Sequence, residues 1–73
     1  MNFAKDDILR HFKGKLYKVV SYARCAETQQ TMILYESLED GILWTRRASA
    51  FDDIVYYDGV QPVKRFEKLL TTN

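Results

Sequence analysis

Cys25 and His11 are the residues best suited to nucleophilic or metal chemistry, and the chain has one cysteine and one histidine. The cation of neighbouring Arg24 can lower the pKa of a thiol, and a histidine can accept the thiol proton. The sequence offers no third group to orient such a pair and no oxyanion-hole signature, so we expect a protein that is not an enzyme. A zinc site normally takes four protein ligands, or three and a water. No ligand spacing of that kind is present, so we predict neither a metal nor a cofactor.

Trp44, followed by Arg46 and Arg47, is the most suggestive binding feature. A guanidinium beside an exposed ring can engage phosphate or stack on bases. Further aromatic residues can complete a groove of the kind that binds proline-rich peptides, namely Tyr17, Tyr35 and Phe66. The alternative is that Trp44 belongs to the core, which is the more common role for such a residue.

Two pairs of opposite charges lie close together in the sequence, Arg24 with Glu27 and Arg65 with Glu67. They can form polar clusters on a binding face. The alternative is a pair of surface ion pairs, each contributing roughly 0–1 kcal/mol. Together with the aromatic features, they give a set of candidate binding residues: His11, Tyr17, Arg24, Glu27, Trp44, Arg46 and Arg65.

The charge balance is close to neutral, with 11 basic and 10 acidic residues and a net charge of +1. Such a balance provides no overall attraction to nucleic acid or to a membrane. A nucleic-acid binder remains the alternative function, and it would use the tyrosines with five basic residues: Lys13, Lys15, Lys18, Arg46 and Arg47. No apolar run approaches membrane-spanning length and no signal-type segment follows Met1. We therefore expect a cytoplasmic protein with a free thiol and no membrane contact.

The length of 73 residues allows a single domain, residues 1–73, with an ordered core over about 8–70. Alternating apolar residues rich in Val, Ile and Tyr predict strands at residues 16–23, 31–38, 42–47 and 54–57. Residues 60–63 contain Pro62, which lacks a ladder donor and belongs at an edge. Near Phe51 we predict a short helical or 3₁₀ turn. At the start of the chain, Asp6 can cap one helical turn near residues 5–8 before an extended segment.

About five short strands, separated by turns near every ten residues, predict a small all-β domain. Turn signals stand at Gly14, Asp40-Gly41 and Asp58-Gly59. At this length, closure into a barrel is the favoured way to remove exposed strand edges. We therefore predict a small SH3-like barrel of antiparallel strands.

A series of short motifs from residue 11 to residue 67 resembles an uncharacterised bacterial family, domain of unknown function 1653. The matching pieces are His11-Phe12-Lys13-Gly14, Leu16-Tyr17 with Val19, Ala23-Arg24 with Glu27-Thr28, Tyr35 with Leu38, Trp44 with Arg46, Phe51, Asp58-Gly59 and Arg65-Phe66-Glu67. The chain departs from the family pattern in having Cys25 in place of a histidine and Arg47 in place of the proline of Trp-x-Arg-Pro. Leu9-Arg10 replaces an aromatic-arginine pair.

The resemblance implies an SH3-type barrel and brings no established activity with it. A fold of this kind hosts many functions. We therefore expect an interaction module that binds a protein, a peptide or a small ligand through an aromatic and arginine-rich face. The least supported alternative is a small enzyme with Cys25 as its nucleophile.

Overall fold

The computed structural model describes residues 3–51, 53–57 and 61–70 of the chain. Most of these residues lie in antiparallel strands, and one short helix, α1, spans Ala48–Phe51. The strands are β1 Ile8–His11, β2 Leu16–Arg24, β3 Thr31–Ser37, β4 Leu43–Arg47, β5 Ile54–Tyr57, β6 Gln61–Lys64 and β7 Phe66–Leu70. The predicted all-β class and the helical turn at Phe51 are confirmed. Strands predicted at 16–23, 31–38, 42–47 and 54–57 each lie within one residue of the observed bounds.

The strands form two sheets rather than one continuous barrel. Five strands pair in the order β4-β3-β2-β1-β7, and β5 pairs with β6 in a separate hairpin. Within the described residues β4 and β7 remain edges of the larger sheet, so the predicted closure is not observed there and an SH3-like type stays a prediction. Pro62 lies opposite Tyr56 in the two-stranded sheet, a place where its missing N–H interrupts no central ladder. The predicted turn at Asp58-Gly59 lies outside the described residues.

The helical turn predicted near residues 5–8 is not formed. Asp6 instead adopts a left-handed backbone conformation with φ of 73°, which the short aspartate side chain tolerates better than most residues do. Asp7 closes the turn, because its N–H donates to the Ala4 carbonyl at 3.0 Å. Its Oδ2 accepts the Ala4 N–H at 2.8 Å. The carboxylate therefore stabilises a tight turn rather than a helix start, and β1 begins directly after it.

A β-bulge in β2 determines which of its side chains face the core. Val19 lies opposite Tyr35, but the next paired residue, Ser21, lies opposite Leu34, so Val20 is an extra residue in the ladder. A bulge of this kind shifts the alternation by one residue. As a result Tyr22 lies opposite the buried Ile33. Strict alternation along the sequence would have placed Tyr22 on the other face.

The core is built mainly from aromatic rings. Phe51 and Phe66 are stacked with ring centroids 4.4 Å apart, and the ring of Tyr35 meets both edge-on at 5.2 and 5.5 Å. Edge-to-face pairs of this kind add about 0.5–1.5 kcal/mol beyond the burial of their area. The residues of the buried apolar cluster are Phe3, Leu9, Val19, Ile33, Tyr35, Phe51 and Phe66. This cluster fixes the positions of the side chains at the open edge of the sheet.

We expect Gly14→Ala to destabilise the domain by about 1–2 kcal/mol, because a Cβ is unfavourable in the left-handed region. Gly14 has φ of 104°, and a Cβ added there would meet no atom within 4 Å, so the penalty comes from the backbone and not from a clash. Urea unfolding followed by circular dichroism measures the change. Lys13→Ala in the same turn is the control and should change the unfolding free energy much less. Equal effects of the two substitutions would contradict the prediction.

Candidate functional site

The core-facing side of the larger sheet, together with the residue that precedes β7, carries five polar and aromatic side chains from separate segments of the chain. His11 ends β1 opposite the buried Phe66. Trp44 and Arg46 lie on β4 opposite the buried Tyr35 and Ile33, and directly paired residues share a face. We call this set the aromatic–arginine face: His11, Tyr17, Trp44, Arg46 and Arg65.

The rings of this face continue the aromatic core to the surface. The His11 ring lies 5.1 Å from Phe66 and 6.4 Å from Tyr17, both in edge contact. Tyr17 in turn contacts Tyr35 at 5.2 Å, the residue that pairs with Trp44 across the strands. Trp44 is 50% exposed. Its position on an edge strand leaves one side of the indole uncovered, so the alternative of Trp44 as a core residue is wrong.

The two arginines of the face hold part of their guanidinium groups away from solvent. The Nε atoms of Arg46 and Arg65 are both buried and make no hydrogen bond. Arg65 has a 22% exposed side chain, and its Nη2 lies 3.6 Å from a carboxylate oxygen of Asp53. Among the residues that the structure describes, Arg46 forms no ion pair. A buried N–H with no acceptor costs about 1–3 kcal/mol, so this face carries unused hydrogen-bonding capacity.

His11 is held as a neutral imidazole between these cations. Its Nδ1 accepts the backbone N–H of Lys13 at 3.1 Å, so in the neutral form the proton is on Nε2, which can donate. Burial lowers the pKa of His11, and the positive charges of Arg65, Arg46 and Lys13 lower it further. At neutral pH the side chain is therefore an uncharged donor in a positive environment.

The two charged pairs suggested by the sequence do not form between those partners in the described residues. Arg24 donates from Nη1 to the Gln29 carbonyl at 2.9 Å, within the loop that joins β2 to β3. Glu27 lies exposed in the same loop. Glu67 pairs with Arg10 at 2.5 Å. Arg24 and Glu27 thus lie at or beyond the end of β2 that is far from Tyr17 and His11.

Cys25 is also remote from His11. His11 is the last residue of β1, at the end of the strand that pairs with Leu16, and Cys25 follows Arg24 at the other end of the nine-residue β2. Nine residues at about 3.3 Å each separate the two side chains by roughly 30 Å, so His11 cannot act as a base for the thiol. Hydrogen bonds from the side chain and backbone of Thr28 lower the pKa of Cys25.

A cleft of about 570 Å³ lies beside His11, between the β1–β2 turn and the strands β6 and β7. Besides His11, its lining includes Phe12, Lys13 and Lys64. Sequence reasoning did not group these residues, because Lys64 lies about fifty positions along the chain from the other three. In the sequence, the turn predicted at Lys13-Gly14 was the signal that could have indicated a surface cleft beside His11.

Neither a metal centre nor a membrane-spanning helix is found in the part of the chain that the structure describes. No group of three or more His, Cys, Asp or Glu side chains is arranged among those residues to hold a metal ion. No helix among them has the length and apolar character needed to span a membrane.

Comparison with known proteins adds one finding. No curated protein and no solved structure is significantly similar to the chain. A family model matches residues 7–68, which include the whole aromatic–arginine face and the cleft beside it. On this match over most of its length, the chain belongs to the family described as Protein of unknown function (DUF1653).

Proposed function

We propose that the protein is a small non-catalytic binding module that takes a peptide or small ligand on the aromatic–arginine face. The observation that carries this proposal is the half-exposed indole of Trp44 on the same side of the sheet as Arg46. In a domain this small, a half-exposed tryptophan loses a large part of the stabilisation that full burial of its side chain would provide. Aromatic residues and arginine are also the types most enriched at binding hot spots.

The surroundings of Trp44 support a binding surface that is partly apolar. Ile42, two positions before Trp44 in the chain, is 49% exposed and extends the uncovered apolar surface beside the indole. Grouped exposed apolar side chains of this kind mark interaction surfaces more often than single ones do.

The nucleic-acid alternative receives less support from the placement of the lysines. Lys15 lies 3.5 Å from the Glu39 carboxylate. Lys18 pairs across the strands with Ile8 and Glu36, on the side of the sheet opposite to Tyr17 and Trp44. The basic residues suggested by the sequence are therefore divided between two faces and do not form one track for a phosphate backbone.

Chemical-shift mapping of the ¹⁵N-labelled protein tests the proposal. The probes are a proline-rich decapeptide, the neutral aromatic compound benzamide and a ten-residue oligothymidine. We expect benzamide or the decapeptide to shift the Trp44 indole N–H, and Trp44→Ala to weaken that binding by more than about tenfold. Tyr56→Ala is the matched control, because Tyr56 is 68% exposed on the separate β5–β6 hairpin.

Two results would overturn the proposal. The first is that no probe shifts resonances of the aromatic–arginine face. The second is that only oligothymidine binds, with an affinity that falls steeply as salt increases, because counterion release is the signature of phosphate-backbone contacts. That second result would establish the nucleic-acid alternative in place of the peptide or small-ligand module.

A further inference from the structure

We infer that the aromatic–arginine face binds an oxyanion group of its ligand, a carboxylate or a phosphate, between Arg46 and Arg65. The inference rests on the proposed function and specifies the chemistry of the ligand. It follows from hydrogen-bond donors that the fold has buried without acceptors, from the local balance of charge and from the state of His11.

The buried Nε atoms are the first argument. The Nε atoms of Arg46 and Arg65 are shielded from solvent and make no hydrogen bond. Buried polar groups in folded proteins nearly always have a partner, so two such donors on one face need an explanation. Arginine presents Nε–H and Nη–H as a planar fork that matches the two oxygens of a carboxylate or phosphate. Because both Nε atoms are shielded, a ligand oxyanion would contact them after a small movement of the arginine side chains.

The balance of charge around the two arginines also favours an anion. Asp53 is the acidic partner of Arg65, but the ion pair is 3.6 Å long and the Asp53 side chain is 48% exposed. Arg46 has no carboxylate partner in the described part of the chain. Lys13, whose charge also acts on His11, adds a further cation at this end of the sheet. Among the residues that the structure describes, the face therefore has an excess of positive charge, and an anion would neutralise it.

His11 provides the third argument and a means of detection. Its neutral state leaves an Nε2–H donor, with Nδ1 occupied by the Lys13 N–H. The neighbouring cations disfavour the imidazolium form. An anion bound among them would offset their charges, so its arrival should raise the pKa of His11. This readout responds to charge at the face and does not require the natural ligand.

NMR titration of the His11 ring signals against pH, in sodium chloride and then in sodium phosphate or sodium acetate at equal ionic strength, tests the inference. We expect at least one of the two oxyanions to raise the pKa of His11 relative to chloride. Arg46→Gln or Arg65→Gln should weaken that anion's binding by about tenfold or more, since hydrogen bonds to charged groups are among the stronger ones.

Arg47→Gln is the matched control because it removes the same charge from the next residue of β4, on the opposite face. Amide spectra of each variant first establish that it is folded.

If phosphate binds and acetate does not, or if acetate binds and phosphate does not, the titration identifies which oxyanion the face selects. Either outcome supports the inference. If benzamide or the decapeptide binds the face while neither oxyanion raises the pKa of His11, the anion inference fails and the binding module stands. Equal weakening in Arg46→Gln and Arg47→Gln would also overturn the inference.

Discussion

Replacing Phe66 with alanine is expected to remove about 3–5 kcal/mol of folding free energy, the usual loss for a buried phenylalanine. Phe66 is 1% exposed. It stacks on Phe51 and meets His11, Tyr17 and Tyr35 edge-on. A chain of this length has a total stability of roughly 4–11 kcal/mol. The substitution should therefore remove a large part of the stability of the domain and lower its urea midpoint.

Urea unfolding monitored by far-ultraviolet circular dichroism measures this loss. Tyr56→Ala is the control, because it removes a ring of similar size that is 68% exposed. We expect the control to change the free energy of unfolding by no more than about 0.5 kcal/mol. A Phe66→Ala protein as stable as the Tyr56→Ala protein would contradict the central place of Phe66 in the core.

The second large effect is expected from Lys68→Met, which should cost about 2–3 kcal/mol. The Lys68 ammonium lies 3.4 Å from Oδ2 of Asp7, whose side chain is fully buried, whereas the lysine itself is 39% exposed. Removing one member of a buried pair typically costs about 3–5 kcal/mol, because the remaining charge is held in a medium that solvates it poorly. The partial exposure of Lys68 places the expected value at or below the lower end of that range.

Lys15→Met provides a closely matched comparison. Lys15 forms an ion pair with Glu39 at 3.5 Å, and both side chains are more than 60% exposed. A surface pair of this kind contributes roughly 0–1 kcal/mol, so we expect only a small change in the urea midpoint. If the two methionine variants were equally stable, the burial of Asp7 would not be costly, and the backbone contacts of its turn would be sufficient to stabilise the carboxylate.

The sequence by itself was sufficient to predict the all-β class and most strand positions. Burial alternates along β3, where Ile33, Tyr35 and Ser37 are buried. The turn residues Gly14 and Gly41 indeed have positive φ. These features depend on local backbone preference and on a period of two residues, both of which can be read from neighbouring positions.

Part of the candidate site could also be predicted. His11, Tyr17, Trp44, Arg46 and Arg65 were identified by residue type and by the family resemblance. The structure places the first four on the core-facing side of the larger sheet and Arg65 directly before β7. Arg24 and Glu27 were included because they are close in sequence to matching motifs. The pairing of β2 with β3 places them in the distal loop instead.

Only the tertiary structure decided the remaining features, because each depends on pairing between distant segments. The bulge at Val20 reversed the faces of β2 through its register with β3. The exposure of Trp44 followed from the position of β4 at the edge of the sheet. Arg46 and Arg65 lie close enough to His11 for their charges to lower its pKa. This arrangement brings together three segments that are far apart in the chain. Sequence spacing determines the side-chain types and their alternation, whereas strand order and register determine which of them meet.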